Sequence, residues 1–179
     1  MNKMKNLFNF DSETRSAIIS ENGLYRYKLE RIWDINKPKV MFIMLNPSKA
    51  DASIDDPTIR RCVSFAKSWG YGGILVGNLF AYRSTYPKEL LSAKDPIGPD
   101  NINHLRFMYL ESELIICAWG NANIIEKLNI MDYKPLSGIV GRLSYLELSK
   151  DGTPKHPLYL KGNTQPHEFK ISFFNAIGY

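Results

Sequence analysis

Three uninterrupted apolar runs constrain this chain more than any other feature: Val40-Met41-Phe42-Ile43-Met44-Leu45, Ile74-Leu75-Val76-Gly77-Asn78-Leu79-Phe80 and Leu114-Ile115-Ile116-Cys117-Ala118. A strand with one solvated face alternates apolar and polar residues, whereas an unbroken run in an α/β chain marks a strand covered on both faces. Each run stops at polar residues: Asn46-Pro47-Ser48, Tyr82-Arg83-Ser84 and Trp119-Gly120-Asn121. Between the first two runs, Ile59, Cys62, Val63, Ala66 and Trp69 recur at helical spacing. Asp56-Pro57 supplies an N-cap and a proline at the first helical position, and Gly70 and Gly72-Gly73 end the helix. Strand, helix and strand form a βαβ unit with a right-handed crossover. The expected fold class is α/β, a three-layer α/β/α arrangement around a mostly parallel central sheet of about four strands.

The 179 residues fit a single domain, 1–179. Within it, 1–36 reads as an N-terminal extension, 37–160 as the core and 161–179 as a tail. Residues 24–34 alternate with period two, as a half-exposed strand at a sheet edge does. Asp100 is placed to cap a helix running to about Glu111, and Ala122 to Asn129 reads as helical. Leu143–Leu148 and Leu158–Leu160 are expected to pair across Lys150-Asp151-Gly152. Hydrophobic residues at 44% and charged residues at 23% exclude a disordered chain. No apolar run is long enough to span a bilayer, and Met1 to Phe10 lacks the apolar core of a secretory signal, so a cytoplasmic protein with no membrane partner is expected. Cys62 and Cys117 read as small buried hydrophobes without metal spacing. The net charge of +5 permits a polyanionic partner without requiring one.

Ligands of parallel α/β sheets bind beyond the carboxyl ends of the strands. The three polar strand ends are therefore expected to share one edge of the sheet, with Asn46, Pro47 and Ser48 at its centre. Asn78 stands inside an otherwise apolar strand. A buried amide needs partners, so Asn78 is either satisfied by neighbouring backbone or aimed into the cleft to read a ligand edge. Asp51, Asp55 and Asp56 form an acidic cluster. Helix capping explains Asp55 and Asp56, which leaves Asp51 as the member suited to acid–base work. No spacing here matches a metal loop, and no cofactor fingerprint, Walker loop or nucleophile elbow is present. Among the histidines, His156 precedes a proline in an ordered-looking arm, the best placed of the three for catalysis.

Taken in order, these motifs resemble the uracil-DNA glycosylase superfamily. Leu45-Asn46-Pro47-Ser48 resembles the motif after that superfamily's first core strand, and Ile74 to Asn78 the strand whose asparagine reads the base. Leu114 to Ala118 with Trp119-Gly120 resembles its later Trp-Gly strand, and His156-Pro157-Leu158 its His-Pro loop. A closer resemblance, through Asn46-Pro47-Ser48, Asp55-Asp56-Pro57-Thr58, Asn78-Leu79-Phe80 and His156-Pro157-Leu158, is to a bacterial and phage family known as a domain of unknown function. The glycosylase resemblance implies that Asn46 holds an attacking water, His156 hydrogen-bonds the leaving base and Asn78 reads a flipped base. It also implies that Ser48, Arg83 and Lys155 hold phosphates. Pro47 and Trp119 are expected to join the substrate-binding residues, with Asp55, Asp56 and Arg60 supporting them from behind. The expected partner is a nucleic acid or nucleotide.

Three readings follow. The first is a nucleobase-recognising N-glycosidase-like hydrolase acting on DNA or on a nucleoside or nucleotide. The second is a non-catalytic nucleic-acid or nucleotide binder, favoured by Met44 standing where the superfamily has glycine. The third is a metal-dependent hydrolase or transferase using Asp51, Asp55 and Asp56.

Overall fold

The computed structural model describes residues 13–48, 55–120, 122–128, 134–136, 139 and 142–169. Its regular elements are β1 (Thr14–Ile19), β2 (Arg26–Ile32), β3 (Lys39–Met44), α1 (Pro57–Ser68), β4 (Gly73–Asn78), α2 (Asn101–Leu110), β5 (Leu114–Cys117), α3 (Ala122–Lys127), β6 (Leu143–Tyr145) and β7 (His167–Glu168). Short 3-10 turns cover Pro87–Ser92, Lys134–Leu136 and Pro157–Tyr159.

All seven strands join one sheet in the order β1-β2-β4-β3-β5-β6-β7. The pairs β3–β4, β3–β5 and β5–β6 are parallel, while β1–β2, β2–β4 and β6–β7 are antiparallel. The expected sheet of about four mostly parallel strands is thus corrected to a mixed sheet of seven. The apolar runs revealed its doubly covered members, whereas β1, β6 and β7 carry no comparable run. Residues 24–34 are corrected as well. β2 lies between β1 and β4, inside the sheet, and the edge is β1.

Both faces of the sheet carry apolar cover, as unbroken runs require. Along β3, Val40, Phe42 and Met44 join one cluster with Ile59, Cys62, Phe65 and Ala66 of α1. Met41, Ile43 and Leu45 join another with Leu105 and Met108 of α2 and Ile124 and Ile125 of α3. Successive side chains of a strand point to opposite faces, so α1 covers one face and α2 with α3 the other. Burying each large apolar side chain of α1 contributes about 1.5–3 kcal/mol. α1 begins as its sequence requires: the Asp56 side chain accepts from the Ile59 N–H at 2.8 Å, with Pro57 next. Gly77 lets α2 approach closely, since a Cβ there would lie 2.6 Å from both Leu105 Cδ2 and Met108 Cε. Asp100 precedes α2 without a side-chain capping bond.

The expected pairing of Leu143–Leu148 with Leu158–Leu160 is also corrected. The turn at Gly152 (φ +83) does form, but Leu148 bridges to Pro154, and Lys155 N–H donates to Glu147 O at 2.8 Å. Pro157–Tyr159 is a 3-10 turn instead of a strand arm, because proline removes a ladder donor there. β6 pairs instead with β5 and β7. No helix among the described residues is long and apolar enough to cross a membrane.

Candidate functional site

Hydrogen bonds continue past the formal ends of the central strands and draw their loops together. Leu79 N–H donates to Met44 O at 2.8 Å, Phe80 N–H to Leu45 O at 2.9 Å, and Ala118 N–H to Ile43 O at 2.8 Å. Ser84 N–H then reaches Pro47 O at 3.0 Å, which ties the loop after β3 to the loop after β4. The loop after β5 is held differently. Gly120 adopts φ +57, a left-handed conformation that favours glycine, and its N–H donates to Pro154 O at 2.9 Å. That bond brings the 153–156 arm over the strand ends and sets His156 beside Gly120.

The result is a cavity of about 620 Å³ at the carboxyl ends of β3, β4 and β5. Asn46, Ser48, Asn78, Trp119, Lys155 and His156 all line it. Pro47 is buried under the loop and serves it through its carbonyl.

Asn46 is oriented by its own backbone surroundings. Its Nδ2 donates to Ser84 O at 3.0 Å and to Pro47 O at 3.2 Å. Only an NH2 group satisfies two carbonyls, so the other end of the amide, Oδ1, is the acceptor left over. Asn78 is 2% exposed, and its Nδ2 has no hydrogen-bond partner among the described residues. Backbone among the described residues therefore leaves that donor unsatisfied. Its own carbonyl is held by Asn101 Nδ2 at 2.9 Å, which fixes the end of β4 against the start of α2. Ser48 Oγ is likewise shielded and without a partner among the described residues.

Burial pushes the His156 imidazole below its ordinary pKa, and the Asp56 carboxylate offsets part of that effect. The ring is therefore neutral at neutral pH. Its Nδ1 accepts from Leu158 N–H at 3.3 Å, so the proton resides on Nε2 and makes that atom a donor.

Not every expected member faces the cavity unengaged. Arg83 does not line the cavity, and its guanidinium donates to Gly23 O at 3.0 Å. Asp55 pairs with the buried Arg31 at 2.7 Å and with Arg15 at 3.3 Å. Arg60 lines a separate shallow depression on the outer side of α1 and donates to Asp55 O at 2.6 Å. Asp56 does line the cavity, while its side chain caps α1. Lys155 is paired with Glu147. Asp51 lies outside the described residues. Among the described residues no three His, Cys, Asp or Glu side chains converge as metal ligands.

Among the lining residues outside the expected set, two stand out. Tyr159 stands 82% exposed at the mouth, its ring 5.8 Å from that of His156. Arg26 is 6% exposed and lines the cavity, and its Nε has no partner among the described residues. Burial lowers its guanidinium to about 10, partly offset by Asp56 and reinforced by Arg83 and Arg31, so it remains a cation at neutral pH. The period-two pattern assigned Arg26 to the face opposite Leu29. The β1–β2 register instead runs Ile18↔Lys28 and then Ile19↔Arg26, leaving Tyr27 as an extra residue. Such a bulge re-aims side chains, and it brings Arg26 to the face of α1 beside Val76 and Ile59.

A family model described as protein of unknown function (DUF1643) matches residues 26–158, well over half of the chain. The chain belongs to this family. The matched span opens at Arg26 and closes two residues after His156, so it contains every residue named above on the cavity wall except Tyr159. No curated protein matches the chain, and no solved structure does.

Proposed function

We propose that this protein is a nucleobase-recognising N-glycosidase-like hydrolase, related in its chemistry to the uracil-DNA glycosylases. The observation that carries the reading is the convergence of Asn46, Asn78 and His156 on one cavity of about 620 Å³, a volume suited to a small organic ligand. The three groups offer complementary functions: an acceptor at Asn46 Oδ1, a shielded donor at Asn78 Nδ2 and a donor at His156 Nε2.

In the proposed reaction the base leaves with the electron pair of the C–N bond. A water oxygen held by Asn46 Oδ1 adds to the sugar carbon and releases a proton to solvent. His156 Nε2–H stabilises the growing negative charge on the base through a hydrogen bond, and the base takes up a solvent proton after departure. A donor at that position in a dry site is worth several kcal/mol. Asn78 distinguishes bases by the acceptor it meets, and Tyr159 offers an aromatic face at the mouth.

The test is chromatographic detection of free base after incubation with natural and modified DNAs, nucleosides and nucleotides. Wild type should release base, and Asn46→Ala and His156→Ala should each slow release at least about tenfold. Equal release by all three proteins, or none by wild type, removes the enzyme reading. A second reading, binding without turnover, draws support from Asp56. One oxygen of this carboxylate on the cavity wall is committed to the α1 cap, where it accepts from Ile59 N–H, which weakens it as a base. The second reading predicts ligand binding by wild type with no base released from any substrate.

A further inference from the structure

Arg26 presents a physical problem that the glycosidase reading leaves unsolved. A guanidinium removed from water needs a counter-charge or a full set of acceptors. Arg26 is only 6% exposed, yet its Nε has no partner among the described residues, and Asp56, the carboxylate that acts on it electrostatically, makes no ion pair with it and is turned to the α1 cap. Buried Arg31 is treated differently, with Asp55 at 2.7 Å. Arg26 opens onto the same cavity as Asn46, Asn78 and His156.

We propose that Arg26 is the anchor for a phosphate group of the ligand, so that the cavity takes a phosphorylated nucleoside in preference to a free one. The guanidinium presents a planar fork of donors that matches phosphate oxygens. Thr58 in the first turn of α1 lines the same wall, while the Ile59 N–H is already taken by Asp56. The carboxylates on the wall do not occupy the position. Asp56 accepts from Ile59 N–H, Asp151 accepts from Thr153 N–H in the hairpin turn, and Glu126 is on the exposed side of α3. Ser48 Oγ, shielded and unpaired among the described residues, adds a neutral donor. The phosphate is either the monoester of a mononucleotide or a diester of a strand. The nucleoside half of this inference rests on the base-binding reading above, whereas the anion site does not.

The experiment uses the full chain and its Arg26→Met and Arg26→Lys variants. Calorimetric titration compares inorganic phosphate, the common nucleosides, their 5′-monophosphates and short single-stranded oligonucleotides, with melting temperature measured alongside. Wild type should bind a monophosphate or an oligonucleotide about 10- to 100-fold tighter than the matching nucleoside. Arg26→Met should erase that advantage without weakening nucleoside binding. Arg26→Lys should retain part of it. Inorganic phosphate should raise the melting temperature of wild type and leave that of Arg26→Met unchanged. Without ligand, Arg26→Met should melt no lower than wild type, because an unpaired buried cation has been removed. If Arg26→Met does not fold, the same comparison with Arg26→Lys and Arg26→Gln decides. Equal binding of nucleoside and monophosphate by wild type, or an equal phosphate response in wild type and variants, overturns the inference while sparing the base reading. A phosphate response confined to wild type and the Arg26→Lys variant, with no nucleoside bound by any protein, supports the anion site and removes the base reading. Binding stronger for oligonucleotide than for monophosphate, and steeply weakened by salt, assigns the phosphate to a strand.

Discussion

The side-chain amide of Asn46 donates to the carbonyl oxygen of Ser84 across 3.0 Å, joining the loop that follows β3 to the loop that follows β4. This single bond serves architecture and chemistry together. Together with the Ser84 N–H to Pro47 O bond it ties loops 38 residues apart in sequence, and with the bond to Pro47 O it dictates which end of the amide the cavity receives. Asn46→Asp therefore places a carboxylate against two carbonyl oxygens. The expected loss is about 2–3 kcal/mol of stability, read from urea unfolding. A loss below about 0.5 kcal/mol would mean that the loops are held without it.

Asp55 gives the opposite separation of roles. Its carboxylate meets the fully buried Arg31 at 2.7 Å, away from the cavity wall. Arg31 keeps its bond to Glu30 O in Asp55→Ala but loses a buried counter-charge, so the variant should cost about 3–5 kcal/mol in chemical denaturation. Ligand affinity at temperatures where the variant is folded should be unchanged. A specific loss of binding by a fully folded Asp55→Ala protein would return this residue to the site.

The pH dependence of stability follows from His156 and His104. Burial lowers the pKa of both below the ordinary value of 6.5, with Asp56 opposing at His156 and Asp100 opposing at His104. The unfolded chain therefore takes up protons first as pH falls. The stability these residues contribute is complete above pH 6.5 and declines as pH drops from there through their folded values. Unfolding curves between about pH 7.5 and pH 5 should show this decline, and a His104→Gln, His156→Gln double variant should flatten it. An equally steep decline in the double variant would assign the effect to other groups.

These histidines also mark how far the sequence could be read. His156 and Asn46 were legible because strand-end chemistry and a His-Pro dipeptide stand out in a linear chain. The doubly covered strands were legible because β3, β4 and β5 admit no alternation. Arg26 was not, because a one-residue bulge at Tyr27 reverses the face that period two assigns to it. β1 was not either: Thr14-Arg15-Ser16-Ala17-Ile18-Ile19 is half exposed and carries no apolar stripe that distinguishes an edge strand from a loop. Arg83 misled for a related reason, since a base at a strand end can turn back to backbone, here to Gly23 O.

Two glycines should respond differently to alanine. Gly120→Ala forces a side chain into φ +57, though its Cβ would meet His156 Cβ at an ordinary 3.5 Å. It should cost about 1–2 kcal/mol and weaken ligand binding by displacing the arm that carries His156. Gly77→Ala would set a methyl 2.6 Å from Leu105 Cδ2 and Met108 Cε. It should cost about 1–3 kcal/mol through overpacking on the α2 face. Paired denaturation and titration measurements separate them, and equal binding losses would contradict the assignment.

The two cysteines offer a chemical check on the core. Cys62 and Cys117 are fully buried, and burial pushes both thiols far above their ordinary range. A thiol reagent at about pH 8 should modify neither in the native protein and both at the rate of unfolding. Fast modification of either would show local opening of α1 or β5.

The cavity wall begins at Arg26 and is completed only by the arm that carries Lys155 and His156. During synthesis, a ribosome-bound chain that has already released β3 and β4 from the exit tunnel still lacks one side of its ligand site. A nascent fragment that ends before residue 153 therefore lacks this wall, and a ligand that needs it can be held only after the 153–156 arm has emerged.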